Sequence, residues 1–463
     1  MTADGNLAHA IAEWLPTARW STVQPGRIDR ITVPVAAPIA QGVRLALVDM
    51  TAAARTDRYV VPVDDAGEDA AALPALARWV VATALGGSTT PADGHAFVGH
   101  STSAPTATES DTCHVTLLGT DASNTSLLVA IGARTFVVKI LRRCRAGVQP
   151  TVEIGAFFQR DAPWNGTPAL LGWVEHVPPG ETTSAVIATV HEHIPGCTTA
   201  WDRLLALVGE GALVAERGTR THRRLLDLVD AIGSVTGTMH RALASRPDLP
   251  PFAPERPSAA TCRAVRDGLV AHAHGVLGRV REEAPHLPPD LAARLQAVAD
   301  RGPMLERRIL ADTSDLDAWA FIRVHGDYHL GQLLVADEGE TWRVMVIDFE
   351  GEPGRTLEAR RAKVPAAKDV AGMCRSFDYL LRYAELAGGP AHDAAGLRLL
   401  EDRFLHAHAT VARDTVWWPP HAARLLEAYR IDKAVYELDY EIGHRPTWVT
   451  VPLAAVEATC SEG

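Results

Sequence analysis

His325-Gly326-Asp327-Tyr328-His329-Leu330-Gly331-Gln332, followed by Val346-Ile347-Asp348-Phe349-Glu350, is the stretch that decides how this chain reads. The first block sets one carboxylate, Asp327, in a tight glycine-containing turn and an amide, Gln332, five residues later. The second block sets Asp348 at the end of a short apolar run. Gln332 and Asp348 are 16 positions apart, and two strand candidates, residues 333–336 and 342–347, fit between them. Such a pair predicts a β-hairpin that returns Asp348 to the neighbourhood of Gln332. Phosphoryl transfer from a nucleotide needs this set of groups. One acid orients and deprotonates an attacking hydroxyl, while a second acid and a neutral oxygen hold Mg²⁺ against the phosphates of ATP. Each piece alone also reads as a turn or a strand-end cap. Their order and spacing favour chemistry.

Upstream lies a candidate nucleotide cradle. Residues 117–129 read as strand, small polar turn, strand, and Ser123-Asn124-Thr125-Ser126 offers hydroxyls and closely approachable backbone N–H groups, suited to covering phosphates. The next strand carries Lys139 among apolar residues, and Glu153 opens a helical stretch over 152–160. A strand lysine clamped by a helix glutamate and donating to α/β-phosphates is the protein-kinase arrangement. A solvated lysine on an edge strand is the alternative. Residues 185–196 form an apolar strand ending at Pro195-Gly196, which fits a hinge whose backbone, around Glu192 and Ile194, pairs with adenine. His191 and His193 have no partners at zinc-ligand spacing.

Composition bounds the partners. With 463 residues the chain has ample core for two to four domains. Its net charge of −11 argues against nucleic acid or an acidic membrane as the main partner. Six scattered cysteines suit reduced thiols in a cytoplasm, and neither a signal peptide nor a membrane span is legible. Residues 1–100 hold a helix, three strand candidates and a second helix, and a Gly/Ser/Thr/Pro-rich passage over 86–108 reads as a linker. From about residue 198 the apolar spacing is helical, with Leu225, Leu228, Ile232, Val235 and Met239 along one stripe that ends at His240. Further helices are predicted over 262–281, 289–309, 366–387, 397–412 and 420–442.

The blocks G-T-D-A-S-N-T-S, V-V-K-I-L-R-R, V-H-G-D-Y-H-L-G-Q, V-I-D-F-E-G-E-P, K-D-V-A-G-M-C-R-S-F-D-Y and I-D-K-A-V-Y-E-L-D-Y-E-I-G-H-R-P-T-W resemble the actinobacterial maltokinase-like family, related to aminoglycoside phosphotransferases. The resemblance covers roughly residues 10 to 455. It implies an α+β, bilobal protein-kinase-like fold. Residues 1–100 would be an N-terminal α/β cap, 101–197 a mixed α/β nucleotide lobe, and 198–463 a mostly helical C-terminal lobe with the catalytic and sugar sites. By position it implies Asp327 as catalytic base, Gln332 and Asp348 as Mg²⁺ ligands, Lys139 with Glu153 as clamp, and residues 123–126 over the phosphates. Two departures stand out. Glu350 occupies the place of the glycine of the kinase DFG segment, and Ala18-Arg19-Trp20-Ser21-Thr22 replaces the family's Gly/Lys-bearing turn.

The acceptor is read from the last long helix. Asp432, Tyr436 and Asp439 fall at i, i+4 and i+7, with Lys433, Glu437 and Tyr440 beside them and Trp417, Trp418 and Trp448 flanking. Carboxylates for hydroxyls and aromatic faces for C–H surfaces are what a sugar site needs. A solvated acidic face with aromatic core residues is the alternative. Asp439, and Lys363-Val364-Pro365-Ala366-Ala367-Lys368-Asp369 in place of the maltokinase P-D-S-P-L-R-D, resemble the glucosamine-kinase branch, since an added carboxylate suits an ammonium. The expectation is therefore ATP plus glucosamine giving glucosamine 6-phosphate and ADP, with no protein partner legible. Maltokinase, making maltose 1-phosphate, is the runner-up. A non-catalytic sugar-sensing pseudokinase would have no use for an intact Lys139, Asp327, Gln332 and Asp348.

Overall fold

The computed structural model describes the chain apart from residues 1–2, 19, 22–27, 54, 93, 104–111, 120–122, 215, 217, 390–393, 446–447 and 460–463. The chain divides into two compact units, Met1–Pro195 with Pro353–Arg360, and Gly196–Glu352 with Arg361–Gly463.

The first unit opens with helix α1 (Ala3–Trp14) and an antiparallel meander, β1 (Arg30–Ala40), β2 (Val43–Ala52) and β3 (Arg55–Val63). Both faces of this sheet are covered, so β2 is a near-continuous apolar run and not an alternating one. Val48, Met50, Tyr59 and Val61 pack on Leu7, Ile11, Leu15 and Trp20. Leu45, Leu47 and Val60 pack the other way, on α2 (Pro74–Gly86) and a larger sheet. Helix α2 starts with Pro74 in its first turn and stops at Gly87, which takes the left-handed conformation.

The larger sheet is built from β4 (Thr89–Ala92), β5 (His95–Ser101), β6 (Cys113–Leu118), β7 (Thr125–Ile131), β8 (Arg134–Ile140), β9 (Leu170–Val177) and β10 (Ala185–Glu192), with α3 (Pro150–Arg160) between β8 and β9. Among the described residues its order is β4-β5-β9-β10-β8-β7-β6, antiparallel throughout. The sequence reads 86–108 as a linker, whereas residues 89–92 and 95–101 are strands of this sheet. Pro91 is tolerated because β4 is the edge strand, and the buried Phe97 anchors β5.

The second unit contains β11 (Thr198–Thr199), α4 (Ala200–Gly209), α5 (Arg220–Leu243), α6 (Ala259–Glu283), α7 (Pro289–Asp300), α8 (Gly302–Asp312), β12 (Leu333–Asp337) and β13 (Trp342–Val346). One helix predicted over 289–309 is two, because Pro303 starts a helix in its first turn but cannot continue one. After β13 the short helix α9 (Leu357–Arg361) lies mostly in the first unit. The chain then closes with α10 (Ala367–Leu386), α11 (Ala394–Ala412), α12 (Ala423–His444) and α13 (Thr450–Thr459). Leu225, Leu228, Ile232 and Met239 of α5 are fully buried, with α11 packed along that helix. No described helix is long and apolar enough to cross a membrane.

Candidate active site

The turn carrying Asp327 is held from behind by one face of α10. Asp369, fully buried, accepts the backbone N–H groups of His325 at 2.8 Å and Gly326 at 2.9 Å, and Nε2 of His240 at 3.1 Å. Gly372 follows one turn later, where a Cβ would lie 2.6 Å from the Tyr328 carbonyl oxygen. Ser376 Oγ then accepts the Leu330 N–H at 3.1 Å. Positions i, i+3 and i+7 form one helical stripe, here serving as a cradle for residues 325–330. Gly326 makes the turn at φ +88°, a conformation that glycine adopts freely. The buried Tyr328 ring anchors the far side, its hydroxyl donating to Thr236 at 2.7 Å. His240 continues through its other ring nitrogen to His408 at 3.2 Å. Burial pushes the Asp369 carboxyl up, but its donors outweigh that and hold it below the usual carboxylate range.

The hairpin returns Asp348 to Gln332. Leu333 pairs with Val346, the Ile347 N–H donates to the Gln332 carbonyl at 2.9 Å, and Gln332 Nε2 lies 3.4 Å from Asp348 Oδ2. Asp348 has φ +66°, left-handed for a residue with a side chain. Such backbone costs about 1–3 kcal/mol and persists mainly where function fixes it. His325 ties this segment to the Asp327 turn, donating from Nε2 to the Ile347 carbonyl at 2.8 Å with its ring 5.0 Å from that of Phe349. The Gln332 amide turns its nitrogen toward Asp348 here, and its oxygen together with that carboxylate supplies the hard donors that fit Mg²⁺. Among the described residues no group of three or more His, Cys, Asp or Glu converges as a metal site, so an ion here depends on phosphates for its remaining shell.

Asp327 itself faces Lys433 of α12, with Nζ 3.4 Å from Oδ1. Burial pushes the Asp327 carboxyl up, yet the Lys433 field outweighs it and leaves the group below its ordinary value. Burial pushes the Lys433 ammonium down, and Asp327 with Glu437 more than reverses this. His329 is kept neutral by burial, its pKa lowered to about 4. Asp327 is therefore a carboxylate suited to orienting a hydroxyl and taking its proton late. Lys433→Met removes the opposing cation and leaves burial in command, so the acid limb of the kcat/KM profile moves to higher pH. Turnover at pH 8 falls by up to about 10²-fold through lost orientation. An acid limb that stays in place would refute this pairing.

In the first unit, Lys139 is paired across the sheet with Ser126 on one side and Thr189 on the other. Cross-strand partners share a face, so Ser126, Lys139 and Thr189 form a polar row over β7, β8 and β10. Glu153 sits in the first turn of α3. Residues 120–122 of the candidate phosphate turn lie outside the described residues. Asn124 is buried and donates to Ser123 Oγ at 3.1 Å. The Thr125 hydroxyl accepts from Nε of the buried Arg142 at 2.8 Å, and Arg142 also binds Asp69 at 2.7 Å and lies over the Trp20 ring. The Glu192 N–H donates to the Ala169 carbonyl at 2.9 Å. Ile194 stands next to the Pro195/Gly196 boundary of the units.

The sugar candidates separate into two faces of α12. Asp432 binds His272 at 2.6 Å and Asp439 holds Arg279 in a bidentate pair at 2.7 Å. Both pairs span 160 residues, so α6 and α12 run parallel with two rungs seven residues apart. Tyr436 lies between them, its ring 6.5 Å from that of His272 and 4.8 Å from Lys433 Nζ, whereas Glu437 turns to α10 and accepts from Arg375 at 2.7 Å. Trp448 stacks on Tyr383 and Tyr379, with centroids 5.0 and 6.0 Å away. Trp417 is buried beside His240 and His408. Asp369, Gly372, Ser376 and His240 were given no site role by sequence reasoning, although the first three lie in the quoted K-D-V-A-G-M-C-R-S block.

The model of the phosphotransferase enzyme family matches residues 114–351, just over half the chain, from β6 through the Asp327 turn and the hairpin to Gly351. A glucosamine kinase of Streptacidiphilus jiangxiensis is 31% identical over 303 residues, covering 64% of this chain and 61% of that protein. The match thus spans less than two thirds of that relative's length. A glucosamine kinase of Mycolicibacterium smegmatis is 30% identical over 358 residues, covering 74% of this chain and 79% of that protein. Among solved structures, a glucosamine kinase in complex with glucosamine, ADP and inorganic phosphate shares the fold, with TM-score 0.68, 24% identity and 97% of each chain covered. A crystal form of glucosamine kinase gives TM-score 0.64 over 98% of each chain at 24% identity. With the cradle strands, the Asp327 turn and the Gln332–Asp348 hairpin all inside the matched region, this chain belongs to the phosphotransferase enzyme family.

Proposed function

We propose that the chain is an ATP-dependent glucosamine kinase, forming glucosamine 6-phosphate and ADP in the cytoplasm. The observation that carries the kinase reading is the single framework joining Asp327, Lys433, Gln332 and Asp348 in the second unit. The choice of sugar is supported by the curated relatives at 30–31% identity. The O6 hydroxyl attacks the γ-phosphorus, the P–O bond to ADP breaks, and the O6 proton passes to Asp327. Lys433 keeps Asp327 ionised, so orientation precedes proton transfer, as a loose phosphoryl-transfer state requires. Mg²⁺ held by Gln332 and Asp348 would neutralise charge on the β- and γ-oxygens. Lys139 with Glu153 would steady the α/β-phosphates beneath Ser123, Asn124 and Ser126. Thr125, whose hydroxyl serves Arg142, would contribute backbone only, and Glu192 and Ile194 would meet adenine through the backbone.

For the 2-ammonium we assign Glu437, which the ammonium would share with Arg375, and Glu352, which it would share with Lys368, in place of Asp432 and Asp439, which pair with His272 and Arg279 of α6. Both assigned acids act on the Lys433–Asp327 pair. Trp448 and Tyr436 would cover the C–H surface. A charge-assisted hydrogen bond contributes about 1.5–3 kcal/mol, so kcat/KM for glucosamine should exceed that for glucose by about 10–150-fold. Coupled ADP-release rates for glucosamine, glucose, N-acetylglucosamine and maltose decide it. Maltose as the best substrate would overturn the amino-sugar assignment.

A further inference from the structure

The first unit contains a cavity of about 200 Å³ made from none of the residues assigned above. Its lining includes Arg55, Arg145, Arg355, Leu357 and Glu358. Two guanidiniums are gathered there on the same pair of neutral acceptors. Arg145 donates to the carbonyls of Arg355 at 2.7 Å and Pro353 at 3.3 Å, and Arg360 to the same two at 3.1 and 2.6 Å. Arg55 and Arg143 share one carboxylate, Asp57, at 3.4 and 3.1 Å. Five arginines (55, 143, 145, 355 and 360) thus come together around this cavity, with Asp57 and Glu358 among them, in a chain of net charge −11. Burial foremost, and then the neighbouring Arg360 and Arg143, lower the Arg145 pKa to about 10. Leu357 pins the segment, buried within reach of Gly147.

Guanidinium forks match phosphate oxygens in geometry as well as charge. The volume lies below the ~300 Å³ at which pockets begin to take drug-sized ligands, so it suits one phosphoryl group and not a nucleotide. We propose that this cavity binds a phosphate-class dianion, either inorganic phosphate or the phosphoryl end of a small metabolite. Pro353 follows Asp348 by five residues, so an anion fixing residues 353–360 restrains the chain just beyond the candidate metal ligand.

Thermal unfolding of the intact chain tests this, with inorganic phosphate titrated against chloride at constant ionic strength. A saturable rise in Tm of about 2–4 °C is expected, abolished in Arg55→Gln and in Arg145→Gln and retained in Lys139→Met. Should Arg145→Gln not fold, Arg55→Gln decides alone. Repeating the titration with a sugar 6-phosphate separates free phosphate from a phosphorylated metabolite as the ligand. No phosphate-specific rise overturns the proposal. So does a rise that survives both arginine variants, or one that is lost only in Lys139→Met, which places the anion at the nucleotide site.

Discussion

Asp327→Asn should lower kcat by about 10²–10⁴-fold, the usual contribution of a positioned general base, while leaving ADP affinity unchanged. The substitution keeps shape and one acceptor oxygen, so the acceptor hydroxyl can still be met but its proton has nowhere to go. Lys433 loses its nearest counter-charge, yet Glu437 and Glu352 continue to act on it, so the fold should survive. The polar row of Ser126, Lys139 and Thr189, proposed for the nucleotide side, is on the sheet of the first unit and is untouched. Steady-state turnover with glucosamine and an independent ADP binding titration separate the two effects. Turnover within a few-fold of the parent would remove Asp327 from the mechanism and revive a sugar-binding module. Loss of ADP affinity together with turnover would instead mean that the turn is structural.

Much of this site is legible because it is local. A hairpin of fixed length has one register that buries Leu333, Val335, Val344 and Val346, and that register sets Asp348 beside Gln332. Lys139 is legible for a similar reason, since an alternating strand allots it to the face opposite Phe136 and Val138. What escaped was long-range pairing. Spacing of seven residues put Asp432 and Asp439 on one face of α12, which is correct. Nothing in it showed that α6 presents His272 and Arg279 at the same spacing to receive them. Lys433, one residue over, reads as a surface charge until the fold brings Asp327 to it across 106 positions. The β4–β5 hairpin was hidden by composition, because an edge strand may carry the Thr, Pro and Gly that otherwise signal a loop. Thr125 looked like a phosphate contact because its sequence neighbours do, but the buried Arg142 takes its hydroxyl.

The same distinction explains why the K-D-V-A-G-M-C-R-S block carries more information than its composition suggests. Asp369, Gly372 and Ser376 each answer a different need of the turn: two backbone N–H groups without a ladder, a carbonyl pressed against a helix, and the N–H of Leu330. A catalytic carboxylate on a short turn has little rigidity of its own. Its placement is lent by the helix behind it, and a misplacement of about 1 Å costs on the order of 10²-fold in rate.

Asp369→Ala should therefore be costly twice. It leaves the His325 and Gly326 N–H groups and His240 Nε2 buried without their acceptor. Removing the anionic partner of such a group destabilises by about 3–5 kcal/mol, or roughly 10 °C in Tm for a unit of this size. The pH dependence has a definite sign. The folded carboxyl is held below the ordinary carboxylate range, so its contribution is complete above the unfolded value of about 3.9 and drains away as pH falls through the lower folded value. The Tm gap between parent and variant should be widest from about pH 5 upward and narrow in more acidic solution. Asp369→Asn, which keeps one acceptor oxygen, should recover part of the stability and of kcat, whereas a volume effect alone would predict full recovery. A Tm for Asp369→Ala within 2 °C of the parent at pH 7, where about 10 °C is expected, would show that the turn stands without this carboxylate.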